Sequence, residues 1–95
     1  MKAKTLGKTV RFEKRREGGI LYEYTLSVEE SRRMASYGLS LYSVRVDMTD
    51  EGERTTAELN SVFSSSERAF RFFDRIVDNL VTPIDLPYVY EDEIL

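Results

Sequence analysis

The sequence predicts an α+β domain: about four mostly antiparallel strands, paired as two hairpins, with one C-terminal amphipathic helix packed across the sheet. Three observations carry this expectation. Apolar residues alternate with polar ones in segments between Thr5 and Phe63, and turn residues separate those segments at Glu17-Gly18-Gly19 and from Thr49 to Glu53. After Ser64 the apolar period lengthens to three and four. The chain of 95 residues is read as one domain, residues 1–95, with residues 1–4 expected to be disordered and 84–95 a tail packed on the core. A domain of this size hides roughly 60 to 70% of its unfolded surface, enough for one core and no more.

The first strand runs from Thr5 to Arg16, with Val10 and Phe12 on one face and Thr9, Arg11 and Glu13 on the other. Residues 20–27 form the clearest strand, with Ile20, Tyr22, Tyr24 and Leu26 sharing a face. Ser27 and Glu30 have capping-box spacing, which suggests a short helical turn ending near Gly38; an irregular polar loop is the other reading. Leu39 to Met48 and Arg54 to Phe63 supply the second hairpin, the latter with Ala57, Leu59, Ser61 and Phe63 on one side.

A helix over residues 65–81 follows. Ser64 and Glu67 form its capping box, and Ala69, Phe70, Phe73, Ile76, Val77 and Leu80 form its stripe. Glu67 with Arg71 and Arg75 with Asp78 are placed to pair along its polar side. Thr82 and Pro83 end it, because the residue before proline is pushed out of the helical region. Ile84 to Leu95 then reads as an extended segment or short strand.

Composition excludes much chemistry. With no Cys and no His there is no thiol nucleophile, imidazole base, zinc finger or disulfide. No glycine-rich phosphate loop occurs, since Gly18-Gly19 lacks the spacing and the following helix. Asp47, Thr49, Glu51 and Glu53 alternate as calcium ligands do, but their flanks read as strands and the central Gly is misplaced, so a solvated hairpin turn is the better account. Glu91-Asp92-Glu93 reads as a hydrated acidic end. No catalytic residue, cofactor or metal is therefore expected, and the chain is read as non-enzymatic. No apolar run approaches the roughly 20 residues needed to cross a bilayer and no charged-then-apolar leader opens the chain, so no membrane role and a cytoplasmic location are expected.

The net charge of −3 is a cancellation. Residues 1–16 hold seven bases (Lys2, Lys4, Lys8, Arg11, Lys14, Arg15, Arg16) and one acid, whereas residues 85–95 hold four acids and no base. The basic segment is either an edge strand guarded by its charges, a contact for nucleic acid or another polyanion, or a partner for the acidic end. Nothing else resembles a nucleic-acid-binding signature. Phe72 lies about 100° around the helix from Phe73, so it is either covered by the tail, with Tyr88, Val89 and Tyr90 as the nearest candidates, or exposed to a partner. Phe72, Tyr88 and Tyr90 are accordingly the candidate partner surface.

Two stretches resemble a small uncharacterised bacterial domain family found mainly in spore-forming Gram-positive anaerobes. They are Tyr37-Gly38-Leu39 leading into a strand, and Pro83-Ile84-Asp85-Leu86 followed by Val89 and Glu91-Asp92. The resemblance implies a small α+β domain of bacterial cytosolic origin and supplies no activity, cofactor or catalytic residue. Family members often carry a histidine where this chain has Asp85. Read from the residues alone, Gly38 can close the short helix, Pro83 stops the last one, and Ile84 and Leu86 dock on the core.

The functional expectation is a protein-interaction or regulatory module that uses a sheet edge or the Phe72–Tyr88 region to contact a protein, with a homodimer as one version. The alternative is a nucleic-acid-associated accessory domain that uses Lys2 to Arg16.

Overall fold

The computed structural model describes residues 7–29 and 40–95. Strands β1 (Gly7–Glu17), β2 (Ile20–Glu29), β3 (Leu41–Asp50) and β4 (Glu53–Phe63) form one antiparallel sheet in the order β1-β2-β3-β4. The two expected hairpins thus join through a β2–β3 pairing into a meander. Both hairpin turns are two residues long, Gly18-Gly19 and Glu51-Gly52, with positive φ at both positions. That is the conformation whose twist matches the flanking strands, and glycine adopts it without a Cβ penalty. Ser27 lies inside β2, paired with Thr9 and Ser43, so it caps no helix. The rest of the expected helical turn, residues 30–39, lies outside the described residues, as do residues 1–4.

Two bulges change what alternation alone predicts. In β1, Thr9 pairs with Ser27 and Arg11 with Leu26, which leaves Val10 as an extra residue. One inserted residue inverts the facing of everything beyond it. Arg11 and Glu13 therefore share the covered face with Leu26 and Tyr24, while Phe12 stands beside Thr25 on the open face, away from Val10. In β4, Phe63 pairs with Tyr42 and Leu59 with Val44, so three residues of β4 oppose Ser43. Ser61 takes a φ of 54° there and leaves the Ala57–Leu59–Phe63 row. Its N–H donates to Ser43 Oγ at 2.9 Å, and its hydroxyl donates to Glu29 Oε1 at 3.1 Å.

Helix α1 (Ser66–Asp78) crosses the sheet. Its N-cap is Ser65, whose Oγ accepts from the Arg68 N–H at 3.2 Å, one residue later than the Ser64 spacing predicts. The helix also stops before Pro83 is reached. Leu80 turns left-handed at φ 50°, its N–H bonds the Val77 carbonyl at 3.1 Å, and the Val81 N–H bonds the Ile76 carbonyl at 3.0 Å. Those two bonds form a Schellman closure, with Val81 and Ile76 as its apolar pair.

The tail is helical rather than extended: α2 spans Leu86–Ile94, with Pro87 in the first turn, where its missing N–H costs nothing. Leu86, Val89 and Tyr90 face inward, and Arg75 reaches across to Glu93 at 2.9 Å. Arg75 thus ties the two helices together rather than pairing with Asp78. The core lies between sheet and helices, built from Tyr24, Leu26, Val44 and Val46 below and Phe72, Phe73, Ile76 and Leu86 above.

Candidate functional site

Phe72 is not a surface residue. It is 0% exposed, packed 5.2 Å from the Phe63 ring centroid and edge-on to Tyr90 at 6.0 Å. The apolar arc of α1 is wide because the helix has two partners: Phe70 meets Tyr42 of the sheet, and Phe72 lies between Phe63 of β4 and Tyr90 of α2. Tyr90 is itself half-buried, and its hydroxyl donates to the Val62 carbonyl at 3.2 Å. Of the three expected contact aromatics only Tyr88, at 65% exposure, is free to meet a partner. Ile84 beside it is 70% exposed and does not dock on the core, unlike Leu86.

The described bases of the amino-terminal segment do not form one face. Lys8, Arg11 and Arg15 lie on the helix side of β1, whereas Lys14 and Arg16 lie on the open side. Lys2 and Lys4 lie outside the described residues. Arg11 is anchored, its guanidinium 4.8 Å above the Phe70 ring, a cation–π contact between β1 and α1. Arg15 pairs with Glu13 at 2.8 Å. Among the described residues Lys14 and Arg16 form no ion pair. Between these bases Phe12 stands 50% exposed.

The open face also carries a group that sequence reasoning missed. Asp47, in the middle of β3 and opposite the helices, is only 5% exposed. Its carboxylate accepts from Thr56 Oγ1, from Arg45 Nε at 3.1 Å and from Arg54 at 3.3 Å, and the two long arginine stems shield it from water. Burial by itself raises the carboxyl, but the Thr56 and Arg54 hydrogen bonds and the Arg45 charge outweigh it and hold the group below its ordinary value. The signal was present in the sequence: Arg45, Asp47, Arg54 and Thr56 all fall on the polar phase of the second hairpin. Glu58 extends the network, 3.5 Å from Arg45. Asp47 is thereby committed to the sheet and does not join Glu51 and Glu53 at the turn.

The two edges of the sheet differ. β4 is blunted: its bulge breaks the ladder at Ser61, and Tyr90 occupies the Val62 carbonyl. β1 keeps an unbroken register from Arg11 to Glu17 and, among the described residues, is paired only with β2; the exposed Arg15 side chain donates to its Lys14 carbonyl at 3.1 Å. Charge separates the edges as well, since β1 carries five bases and two acids whereas β4 carries one base and two acids. The candidate contact site is therefore the outer edge of β1, with Phe12, Lys14 and Arg16 on its open side and Arg11 on the other.

Among the described residues no helix is long and apolar enough to cross a membrane. No curated protein and no solved structure matches the chain significantly. A family model does match, over residues 3–95, and the chain belongs to that family, described as a family of unknown function (DUF6514).

Proposed function

We propose that the chain acts as a non-enzymatic protein-interaction module whose contact surface is the outer edge of β1 and the open sheet side next to it. One observation carries the reading: a strand of 11 residues, unbroken in register from Arg11 to Glu17, is paired on one side only among the described residues and carries an exposed Phe12. An edge strand of that length presents a row of backbone donors and acceptors to any extended chain. The division of β1's bases between two faces favours this over nucleic acid, which needs a contiguous basic surface to follow a phosphate backbone.

A photo-crosslinking amino acid placed at Phe12 or at Tyr88 tests the proposal in the native cell. A protein captured through position 12 and absent at position 88 supports it. Capture only at 88, or at neither, contradicts it, and capture of nucleic acid at position 12 favours the alternative. Light scattering on the purified chain separates self-contact from contact with another protein.

A further inference from the structure

We infer that the outer edge of β1, from Arg11 to Glu17, takes up an acidic extended segment of another protein as a fifth strand of the sheet. This rests on the reading of the chain as an interaction module and adds the chemistry of the partner. Three features on one strand carry it. The backbone ladder is continuous over Arg11–Glu17 and, among the described residues, is paired on one side only. Lys14 and Arg16 lie two apart on the open side and form no ion pair among the described residues; Glu23 stands across from Lys14 on the β2 side, which leaves the outer side of both bases to an incoming carboxylate. Phe12 continues the same row, half exposed, at the end nearer the bulge.

Opposite charges directly across a ladder stabilise pairing and like charges oppose it. On the open side a second copy of β1 would offer these bases only Phe12 and further bases, whereas an acidic strand offers them opposite charges. Alternation then specifies the partner's pattern. The side chains of an added strand that lie on the open side meet Phe12, Lys14 and Arg16 in turn, which calls for one apolar residue and two acids at every second position. The opposite edge is broken, because β4 is bulged at Ser61 and its Val62 carbonyl accepts from the part-buried Tyr90, whereas on β1 the side chain that donates to the Lys14 carbonyl at 3.1 Å is the exposed Arg15, which an added strand displaces.

The test is fluorescence anisotropy of the full chain with a labelled peptide of about ten residues that places Glu, Glu and Val at alternate positions between threonines. The same peptide with every second backbone nitrogen on one edge methylated, and a single-stranded oligonucleotide of similar charge, serve as comparisons. The expected result is saturable binding of the peptide at low salt, weakened roughly tenfold or more by N-methylation, because the ladder hydrogen bonds are lost. Lys14→Glu with Arg16→Glu, both at exposed positions, should weaken it by roughly tenfold or more through two reversed cross-strand pairs. Equal binding of the methylated peptide, equal or tighter binding of the oligonucleotide, or no peptide binding at low salt would each overturn the inference. If a cellular protein still cross-links through Phe12 when the peptide fails, the interaction reading stands and the acidic-strand chemistry is what is wrong.

Discussion

The Tyr24 hydroxyl donates to the Val81 carbonyl at 3.0 Å, joining the buried middle of β2 to the closing turn of α1 across 57 residues of sequence. Tyr24→Phe removes the donor and strands that carbonyl in a dry site, which should cost about 1 to 2 kcal/mol in urea unfolding. The same contact sets an alkaline limit. Burial, with the neighbouring Tyr22 adding to it, pushes the phenol from 10.0 up to about 12. A group whose folded value is raised contributes stability that is intact below the unfolded value and is lost as pH rises through the folded one. Stability should therefore fall between about pH 10 and 12, and ultraviolet titration should show Tyr24 ionising late. In Tyr24→Phe both the late step and its share of the alkaline loss should vanish.

Asp47 governs the acid side. Its lowered carboxyl value means that its stabilisation is present above the ordinary value of 3.8 and is lost as pH falls through the folded one. Asp47→Asn should cost about 1 to 3 kcal/mol near neutral pH, as expected for a buried acceptor of charged hydrogen bonds. Denaturant melts across an acid pH series should show the two proteins converging as the wild-type carboxyl is protonated.

Phe72 and Tyr88 should separate core from surface. Phe72→Ala, at a fully buried ring, should lose about 3 to 5 kcal/mol. Tyr88→Ala, at an exposed ring, should stay within about 0.5 kcal/mol of the parent in the same unfolding assay.

Leu80 occupies a left-handed position that glycine takes without strain, and its side chain is not part of the core. Leu80→Gly should raise stability by a few tenths to about 1 kcal/mol, and calorimetry should register it as a higher Tm.

Much of this fold was legible because its signals are local. The β2 alternation from Ile20 to Leu26, the glycine turns and the Phe70–Val77 stripe each depend on neighbours within a few residues. Non-local features were not legible. The bulge at Val10 depends on the register with β2, and it alone sends Phe12 and Arg11 to opposite faces from those expected. Helix α2 escaped because its inward stripe, Leu86, Val89 and Tyr90, is one turn long, follows Pro83 and Pro87, and is blurred by the apolar Tyr88 and Ile94 on its exposed sides. Without α2, Phe72 has two readings, covered by the tail or exposed to a partner, and Tyr90 of the tail is what covers it. The basic charge of β1 was plain in the sequence, whereas the asymmetry between an open β1 edge and a blunted β4 edge needed the bulge at Ser61 and the Tyr90 hydroxyl to be located.

Amide exchange followed by nuclear magnetic resonance, with and without the acidic peptide, tests the edge-strand account most directly. Strand addition should slow exchange at alternate amides of Arg11–Glu17, those pointing away from β2, and leave β4 and the helices unchanged. Protection along β4, protection spread evenly over the open face, or no change in β1 would contradict it.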